Sequence, residues 1–469
     1  MSHEWMAPLM FLGLVVFLLL GYPVAFSLAA NGLLFAFIGI QAGYFEFSLL
    51  QALPERIFGI MSNATLLAIP FFTFMGLILE RSGMAEELLD TMGQSFGTVR
   101  GGLAYAVVLV GALLAATTGV VAASVIAMGL ISLPIMLRYG YDPRLATGVI
   151  AASGTLAQIL PPSLVLIVLA DQLGVSVGDM YRGALLPALM LAGLYLLYVM
   201  MVSLVRPSHA PALPPEARTL HGMALARRVL LSMVPPLVLV FLVLGTIFLG
   251  VATPTEGGAM GAVGALALAM IKRRLSLDVL RQAMDRTARL TSFVLFILIG
   301  STVFSLVFQA LDGDEWVEGL FSALPGGVIG FLILVNLLVF LLAFFLDFFE
   351  IAFIIVPLLA PVAAKLGIDL VWFGVLLGIN MQTSFMHPPF GFALFYLRSV
   401  APKAVRTADI YWGAVPFLVI QLCMVALVMA FPGLVGGQAV TAPEVTTPIL
   451  LDEPPVPYLQ PGSRFLPGS

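Results

Sequence analysis

Cysteine and charge are both scarce in this chain. One cysteine, Cys423, is present in 469 residues, so neither a disulfide framework nor a cluster of thiolate metal ligands can support the fold. Charged residues make up only 10% of the chain, whereas soluble domains carry about 25%. The composition therefore excludes an ordinary soluble domain.

Motifs for nucleotide hydrolysis and for common catalytic chemistry are also missing. The sequence contains no GxxxxGK[ST] phosphate loop and no HExxH motif, and its GxSxG match, GQSFG (93–97), lies at the end of an amphipathic helical segment rather than at a strand-to-helix turn. ATP-driven transport by this chain alone and hydrolytic catalysis therefore lack sequence support. We expect a protein that is not an enzyme and that has no nucleic-acid partner.

Apolar residues are abundant instead. They account for 61% of the chain, and the mean hydropathy is +1.09. Apolar runs of about 17 to 25 residues, the length that crosses a bilayer core, recur between residues 1 and 431. Because the first residues, 1–5, lack a basic segment, we expect the first run to be a retained span rather than a signal peptide. The composition predicts an all-α polytopic membrane protein surrounded by lipid.

One pattern of helix-breaking residues occurs twice, at an interval of 227 residues. Few other positions match, so the repeated feature is the set of residues that stop helices or fix turns. Two corresponding segments broken by Gly and Pro point to a transport site built from discontinuous helices, which predicts a secondary transporter. The equivalent residues are Pro134 and Pro361, Gly140 and Gly367, Asp142 and Asp369, and Pro161-Pro162 and Pro388-Pro389.

Composition along the chain divides it into six parts. The segment 206–218 is rich in proline and predicts an extended linker between two halves. In the first half we expect scaffold spans and an amphipathic arm helix in 1–97, followed by a first helix pair and broken helix in 98–183. The middle part, 184–310, should contain scaffold spans, the linker and a second arm helix (276–289) before a span at 291–310. We then expect a second helix pair and broken helix in 311–409, a last span in 410–431, and a disordered tail in 432–469.

The distribution of basic residues predicts the orientation. With the N-terminus outside, seventeen of the 21 Lys and Arg residues fall in cytoplasmic segments and four fall outside: Arg56, Arg182, Lys365 and Arg464. This asymmetry follows the positive-inside rule. We therefore expect both termini on the outer side and a cytoplasmic linker. The two repeats are then inverted relative to each other, as alternating access by symmetric halves requires.

Each helix pair, about 98–140 and 326–367, has two possible arrangements. Both a re-entrant hairpin and a pair of complete spans return the chain to the side from which it came, and the length of about 20 residues per limb suits either. The polar tips, Thr117-Thr118 and Asp347, favour hairpins that end at a watery site.

The helix breaks predict the binding residues. Freed carbonyls at half-helix ends can bind a cation, and half-helix N-termini can bind an anion. Small oxygen-bearing side chains suit a hard cation such as Na⁺, although Ser and Thr also hydrogen-bond within packed membrane helices. The predicted substrate site comprises the two tips (Thr117, Thr118, Gly119 and Asp347) and the two breaks (Ser153, Gly154, Thr155, Pro161, Pro162 and Ser163; Gln382, Thr383, Ser384, His387, Pro388 and Pro389). Cations are expected near Thr118, Gly119, Ser153 and Thr155, and near Asp347, Asn380, Thr383 and Ser384.

Three ionisable residues have more than one interpretation. Asp347 lies in an apolar context, where burial of a charge is unfavourable; it could bind a cation, carry a proton or cap a half-helix. His387 could relay protons or serve as a packing residue. Glu256 precedes a span and is explained as an N-terminal helix charge.

Four stretches carry a family resemblance. They are similar to the large membrane subunit of TRAP transporters, the tripartite ATP-independent periplasmic systems, over residues 5 to 431: LLAIPFF (66–72), GLISLPIMLRYGYDPRLATGVIAASGTLAQILPPS (129–163), ATPTEGG (252–258) and QTSFMHPPFGFALFYLRSVAP (382–402). The resemblance implies an ion-transporter-superfamily fold with a scaffold, a moving elevator domain and two hairpins, in the bacterial inner membrane. It further implies coupling to Na⁺ and two partners, a separate small four-helix membrane subunit and a soluble periplasmic protein that delivers an organic acid.

Two positions depart from that family pattern. Gly119 is followed by Val120 and Val121 where many relatives have serines, and His387 replaces threonine before the second Pro-Pro pair; backbone carbonyls could serve as ligands there. The TTGVV and PPFGFALFYLR segments resemble a branch with monocarboxylate or 2-oxoacid substrates.

The main hypothesis is a Na⁺-driven, binding-protein-dependent importer. The alternatives are a stand-alone Na⁺ or H⁺ carboxylate symporter of the same fold and a membrane scaffold or sensor that does not transport.

Overall fold

The computed structural model describes residues 3–119, 121–322, 326–344 and 346–436. The described chain is all-α, and eight of its helices are long and apolar enough to cross a membrane. The expectation of a polytopic helical membrane protein is confirmed at this level.

The N-terminal part forms five helices. The predicted arm helix is amphipathic, with acidic residues in its first turn and one buried face, and the left-handed Gly83 (φ 73°) turns the chain into it. The polar segment after the second span contains a helix of its own. The five are α1 (Met6–Leu19), α2 (Val24–Gln41), α3 (Leu53–Met61), α4 (Ala68–Arg81) and α5 (Met84–Ser95).

The first repeat follows. Asp142 begins its third helix, because its carboxylate accepts hydrogen bonds from the amides of Arg144 and Leu145. Gly119, at φ 59°, ends its first helix in a left-handed conformation that disfavours a side chain. The helices are α6 (Gly102–Thr118), α7 (Val121–Arg138), α8 (Pro143–Thr155), α9 (Leu164–Leu173) and α10 (Val177–Val205).

The proline-rich segment 206–218 is not a free linker. It contains short 3₁₀ turns, and its backbone docks on the first repeat: Gly101 N donates to Ala210 O (2.9 Å) and Asp142 N to His209 O (3.0 Å). Burial explains the difference, since Ala210 and Leu213 are 0% and 6% exposed. Two apolar side chains among prolines hold the segment against the protein.

The second half begins with four helices. The third of them is continuous over 34 residues, although an arm helix and a span were expected to be separate there. The junction Arg289-Leu290-Thr291 contains neither Gly nor Pro, so nothing stops the helix. The helices are α11 (Gly222–Phe248), α12 (Pro254–Ile271), α13 (Leu277–Ala310) and α14 (Gly313–Ser322).

The second repeat completes the chain. Its second helix includes a π-helical turn at Ile351–Ile355. After the last helix, Pro432–Val435 forms a 3₁₀ turn with Val435 buried, so this part of the expected disordered tail is ordered; residues 437–469 lie outside the described chain. The helices are α15 (Gly327–Leu342), α16 (Phe348–Lys365), α17 (Leu370–Gln382), α18 (Phe392–Val400) and α19 (Thr407–Ala430).

Local structure repeats at the interval of the sequence pattern. Adding 227 to the bounds of α7 and α8 gives the bounds of α16 and α17. The 3₁₀ turns Leu156–Gln158 and Thr383–Phe385 match in the same way. Residues that stop helices therefore impose one architecture on two otherwise diverged sequences.

The helices pack in two groups. In one, α2 lies against α13, and α12 lies against α4 and α11. In the other, α8 packs against α6, α7 and α19, while α17 packs against α9, α10, α15 and α19. Residues 184–205, which we grouped with the scaffold spans, and the last span, 410–431, thus pack against the broken helices. We call the first group the scaffold and the second the broken-helix unit.

Candidate transport site

The first break separates α8 from α9. The chain leaves α8 through a 3₁₀ turn and passes a cis Pro161-Pro162 bond before α9 begins at Leu164. Proline has no amide proton, so the helical ladder cannot continue. The hydroxyl of Ser163 donates to the carbonyl of Gln158, and Tyr181 Oη donates to Ser163 O at 3.3 Å. All residues from 145 to 170 are buried, which places this break inside the protein.

The second break has the same course but a different exposure. A 3₁₀ turn follows α17, and the Pro388-Pro389 bond is again cis. Pro388 is half-buried and Pro389 is exposed; the Tyr411 hydroxyl donates to Pro389 O at 3.3 Å. The two breaks are therefore equivalent in backbone but not in surroundings.

A buried polar cluster joins the breaks. Gln382 Nε2 donates to Thr155 Oγ1 at 3.0 Å, and these two residues are separated by the repeat interval of 227. Gln421 Nε2, on α19, reaches both Thr155 Oγ1 (3.4 Å) and Tyr195 Oη (2.9 Å). All four side chains are 0% exposed. The predicted residues Thr155 and Gln382 thus meet at the centre of the broken-helix unit.

Several buried polar atoms around the breaks have no hydrogen-bond partner within the described protein. They are Gln158 Nε2 and Oε1, Asn380 Oδ1, Gln382 Oε1 and Gln421 Oε1. Each of these residues is at most 1% exposed. Leaving such groups unsatisfied costs about 1–3 kcal/mol each, so they are sites for a ligand, an ion or water.

Hydroxyl groups at the breaks are oriented by their own helices. Ser153 Oγ donates to Val149 O, Thr383 Oγ1 to Asn380 O and Ser384 Oγ to Met381 O, each at 2.6 Å. A hydroxyl that donates its proton in this way keeps lone pairs available for a cation or another donor. Thr155 Oγ1 differs, because it already accepts from Gln382 and Gln421.

The tip of the first helix pair lies against the first break. A Cβ placed on Gly119 would be 3.2 Å from Leu164 Cγ, at the start of α9. The side chains of Thr117 and Thr118 lie outside the described part of the structure, so their predicted roles stay predictions. Gly154 has a packing reason instead, since a Cβ there would lie 2.3 Å from Val125 Cγ2.

The tip of the second helix pair is organised by Asp347. Its Oδ1 accepts from the amide of Glu350, and the Glu350 carboxylate accepts from the amide of Asp347, both at 2.9 Å. This capping box starts α16. Of the three roles considered for Asp347, capping is the one that the geometry shows.

His387 lies between the second tip and the second break. Its ring stacks on Phe344 (4.3 Å between centroids, 18° between planes) and meets Phe340 edge-on at 4.3 Å. Neither ring nitrogen forms a hydrogen bond within the described protein, and the Ala343 carbonyl faces the ring outside hydrogen-bond geometry. The aromatic contacts fit the packing interpretation, and the proton-relay interpretation stays a prediction.

Two residues of the cluster were missed by sequence reasoning. Gln421 is a polar residue inside the apolar run FLVIQLCMV, and such a residue at membrane depth is a functional signal by default. Tyr195 offered no comparable signal, because tyrosine is common in spans.

Comparison with known proteins agrees with this geometry. A family model described as the tripartite ATP-independent periplasmic transporter, DctM component, matches residues 11–434. The chain belongs to this family. The C4-dicarboxylate TRAP transporter large permease protein DctM of Pseudomonas aeruginosa is 31% identical over 81% of this chain and 88% of its own length; the same-named protein of Rhodobacter capsulatus is 29% identical over 92% and 100%. The protein is thus a multi-pass permease component and not an enzyme.

A solved structure is similar in fold. The YdaH transporter of Alcanivorax borkumensis superposes with a TM-score of 0.61 over 85% of this chain and 91% of its own, at 15% identity. Family membership also implies a substrate-binding protein and a small membrane subunit as partners.

Proposed function

We propose that this chain is the transport subunit of a Na⁺-coupled, binding-protein-dependent importer of an organic acid, working by an elevator mechanism in the bacterial inner membrane. The observation that carries the proposal is the hydrogen bond between Thr155 and Gln382, two repeat-equivalent residues at two broken helices. Two equivalent residues can touch only where the axis relating the repeats passes between them. A substrate site on that axis is accessible to both halves in turn.

The charge distribution supports inversion of the repeats. Seventeen of 21 basic residues lie in segments on the linker side when both termini are outside. In that orientation the first hairpin enters from the cytoplasm and the second from the periplasm.

The breaks supply groups that suit Na⁺ as the coupling ion. Near the first break the ligands would come from Ser153 and from carbonyls around Gly119; near the second, from Asn380, Thr383 and Ser384. Ser153 and Asn380 are repeat equivalents, and both have oxygen lone pairs facing no donor within the described protein. Asp347 would contribute negative charge from the tip of the second hairpin.

The separation into two packed groups supports an elevator. The scaffold and the broken-helix unit each pack mainly within themselves, so one can move past the other as a body. We assign an organic acid as substrate because the relatives named above are C4-dicarboxylate permeases, and the monocarboxylate and 2-oxoacid alternatives belong to the same test.

The test is uptake of radiolabelled succinate, pyruvate and other carboxylates into proteoliposomes that contain this chain and its small subunit. Uptake is expected only with an inward Na⁺ gradient and the cognate binding protein. Na⁺-driven uptake without the binding protein would establish a stand-alone symporter. Uptake driven only by protons would overturn Na⁺ coupling, and no uptake of any carboxylate would overturn the proposed function.

A further inference from the structure

A cavity lies between the first hairpin and the scaffold. Its volume is ≈ 320 Å³, and it is lined by Thr73 and Leu77 of α4, Ala122 and Ala123 of α7, and Arg286 and Arg289 of α13. Ala122 and Ala123 begin the second limb of the hairpin, just beyond Gly119 at its tip. The cavity therefore brings scaffold side chains close to the predicted substrate site.

The ionisable side chains that line the cavity are basic. Both of its ionisable lining residues are arginines. Arg289 Nε contacts the Asp285 carboxylate at 2.9 Å on the same helix, and Glu80 lies within electrostatic range of Arg286 without forming a salt bridge. Neither carboxylate lines the cavity. The Arg289 side chain is 79% exposed and can reorient toward a ligand. Guanidinium groups bind carboxylates through two parallel hydrogen bonds.

Thr73 provides an independent observation. It is 1% exposed, and its Oγ1 has no hydrogen-bond partner within the described protein. The hydroxyls of Thr287 and Thr291 on α13 likewise have no partner within the described protein, whereas those of Thr91 and Ser153 donate to a carbonyl of their own helix. An unsatisfied buried hydroxyl is unfavourable, and a ligand in the cavity would satisfy it.

A second, larger cleft extends the first. It has a volume of ≈ 780 Å³ and shares Arg289. Its other lining residues include Asp285, Glu350 beside the second tip, and Tyr22 and Pro23 at the α1–α2 turn. Arg289 therefore lies between the two hairpins. In the proposed orientation the α1–α2 turn and this part of α13 are cytoplasmic.

From these observations we propose that Arg286, Arg289 and Thr73 form a scaffold-side anion subsite, which receives a carboxylate of the substrate as it leaves the first hairpin toward the cytoplasm. This inference rests on the proposed function. The arginines attract the departing anion, and the hydroxyl of Thr73 donates to it. A cavity of this volume suits a small organic acid, because drug-sized ligands occupy about 300–1,000 Å³.

The first experiment measures the charge of the cavity without any need for a transported substrate. Ala122→Cys is introduced with Cys423→Ser, and the new thiol is labelled with anionic and with cationic methanethiosulfonate reagents. The anionic reagent is expected to react preferentially. Arg286→Gln with Arg289→Gln should lower the ratio of anionic to cationic rates about ten-fold, because two charges within roughly 10 Å act in opposite directions on the two reagents.

Matched variants control for folding and for general surface charge. Arg281→Gln removes a charge from the same helix outside the cavity and should leave the ratio of labelling rates unchanged. Arg286→Lys with Arg289→Lys keeps both positive charges and should retain most of the preference for the anionic reagent. Succinate should slow labelling of the introduced thiol when both arginines and Thr73 are present, and Thr73→Val should weaken that protection several-fold. The proposed subsite would be overturned if the thiol of Ala122→Cys reacted equally fast with the anionic and cationic reagents. It would also be overturned if the double Gln variant left the ratio of these rates unchanged.

The second experiment connects the subsite to transport. In proteoliposomes, Arg286→Gln with Arg289→Gln should reduce maximal carboxylate uptake about ten-fold, and Arg281→Gln should not. Normal uptake by the double Gln variant would overturn the inference and leave the proposed function intact. Charge-selective labelling in a protein that transports no carboxylate would instead remove the proposed function and, with it, the assignment of this anion site to substrate release.

Discussion

At the scale of single residues, the two breaks are joined by one hydroxyl. Thr155 Oγ1 accepts from Gln382 and Gln421 while donating to Ala152 O at 2.8 Å. Because Gln421 also reaches Tyr195, Gln382 Nε2 is the donor that depends most on Thr155.

We predict that Thr155→Val destabilises the protein by about 1–3 kcal/mol, since it leaves the Gln382 amide buried without an acceptor. Thermal unfolding in detergent measures the effect. Thr155→Val with Gln382→Leu should be less destabilising than the sum of the two single changes, because both partners are then removed. The matched control is Thr246→Val, whose hydroxyl bonds only to carbonyls of its own helix; equal effects at the two positions would refute the special role of Thr155.

A second residue-scale prediction concerns His387. Its aromatic contacts with Phe340 and Phe344 should be retained in His387→Phe. We expect this variant to keep the unfolding temperature and the pH profile of uptake of the parent, and an uptake rate within about two-fold of it. His387→Ala should lower the unfolding temperature by removing the stacked ring. If His387→Phe folds normally but loses uptake or shifts its pH profile, the proton-relay interpretation replaces the packing one.

At the scale of helices, close packing explains how the broken-helix unit stays together. A Cβ on Gly148 of α8 would lie 2.1 Å from the carbonyl oxygen of Gly413 on α19. The backbone oxygen cannot move aside without shifting the helix, so only glycine allows this approach.

Gly148→Ala should therefore separate α8 from α19 and destabilise the protein by about 1–3 kcal/mol. Gly193→Ala in α10 is the control, because a Cβ there meets nothing within 4 Å, and alanine favours a helix by up to about 1 kcal/mol. Thermal unfolding of both variants measures the difference. Similar melting temperatures for the two would show that the contact between α8 and α19 does not limit stability.

Helix ends could be predicted from the sequence, whereas contacts between helices could not. Prolines, glycines and Asp142 or Asp369 act locally, since a missing amide or a capping carboxylate stops or starts a helix whatever surrounds it. Docking of the 206–218 segment depends on where Ala210 and Leu213 find a surface, and its composition alone predicts a free linker. The same holds for α10 and α19, because apolar spans carry no mark of the partner against which they pack. Gln421 is an exception, because a polar residue within an apolar span is a signal in the sequence that α19 faces a polar site.

At the scale of the whole molecule, polar contacts within the described residues connect the scaffold side to the broken-helix unit, among them that of Arg182 on α10 with the Phe248 carbonyl on α11. Asn63 Nδ2, in the turn before α4, donates to Asp171 Oδ1 at the end of α9 at 2.7 Å. The Ser301 hydroxyl of α13 likewise donates to Phe353 O of α16. Under the proposed orientation Asn63 and Asp171 lie on the periplasmic side, opposite the clefts around Arg289. Asn63, Asp171 and Ser301 also line a cleft of ≈ 460 Å³ on that side. In an elevator these bonds must break when the unit moves past the scaffold.

The final prediction is that tethering Asn63 to Asp171 arrests transport. In a Cys423→Ser background, Asn63→Cys and Asp171→Cys bridged by a short thiol crosslinker should lose at least about 90% of uptake and recover it on reduction, since alternating access requires the two groups to separate. Each single cysteine variant, treated with the same reagent, measures the effect of losing the native hydrogen bond without a bridge. Full uptake by the bridged protein would show that the scaffold and the broken-helix unit move together, and the elevator would have to be abandoned in favour of motion confined to the hairpins.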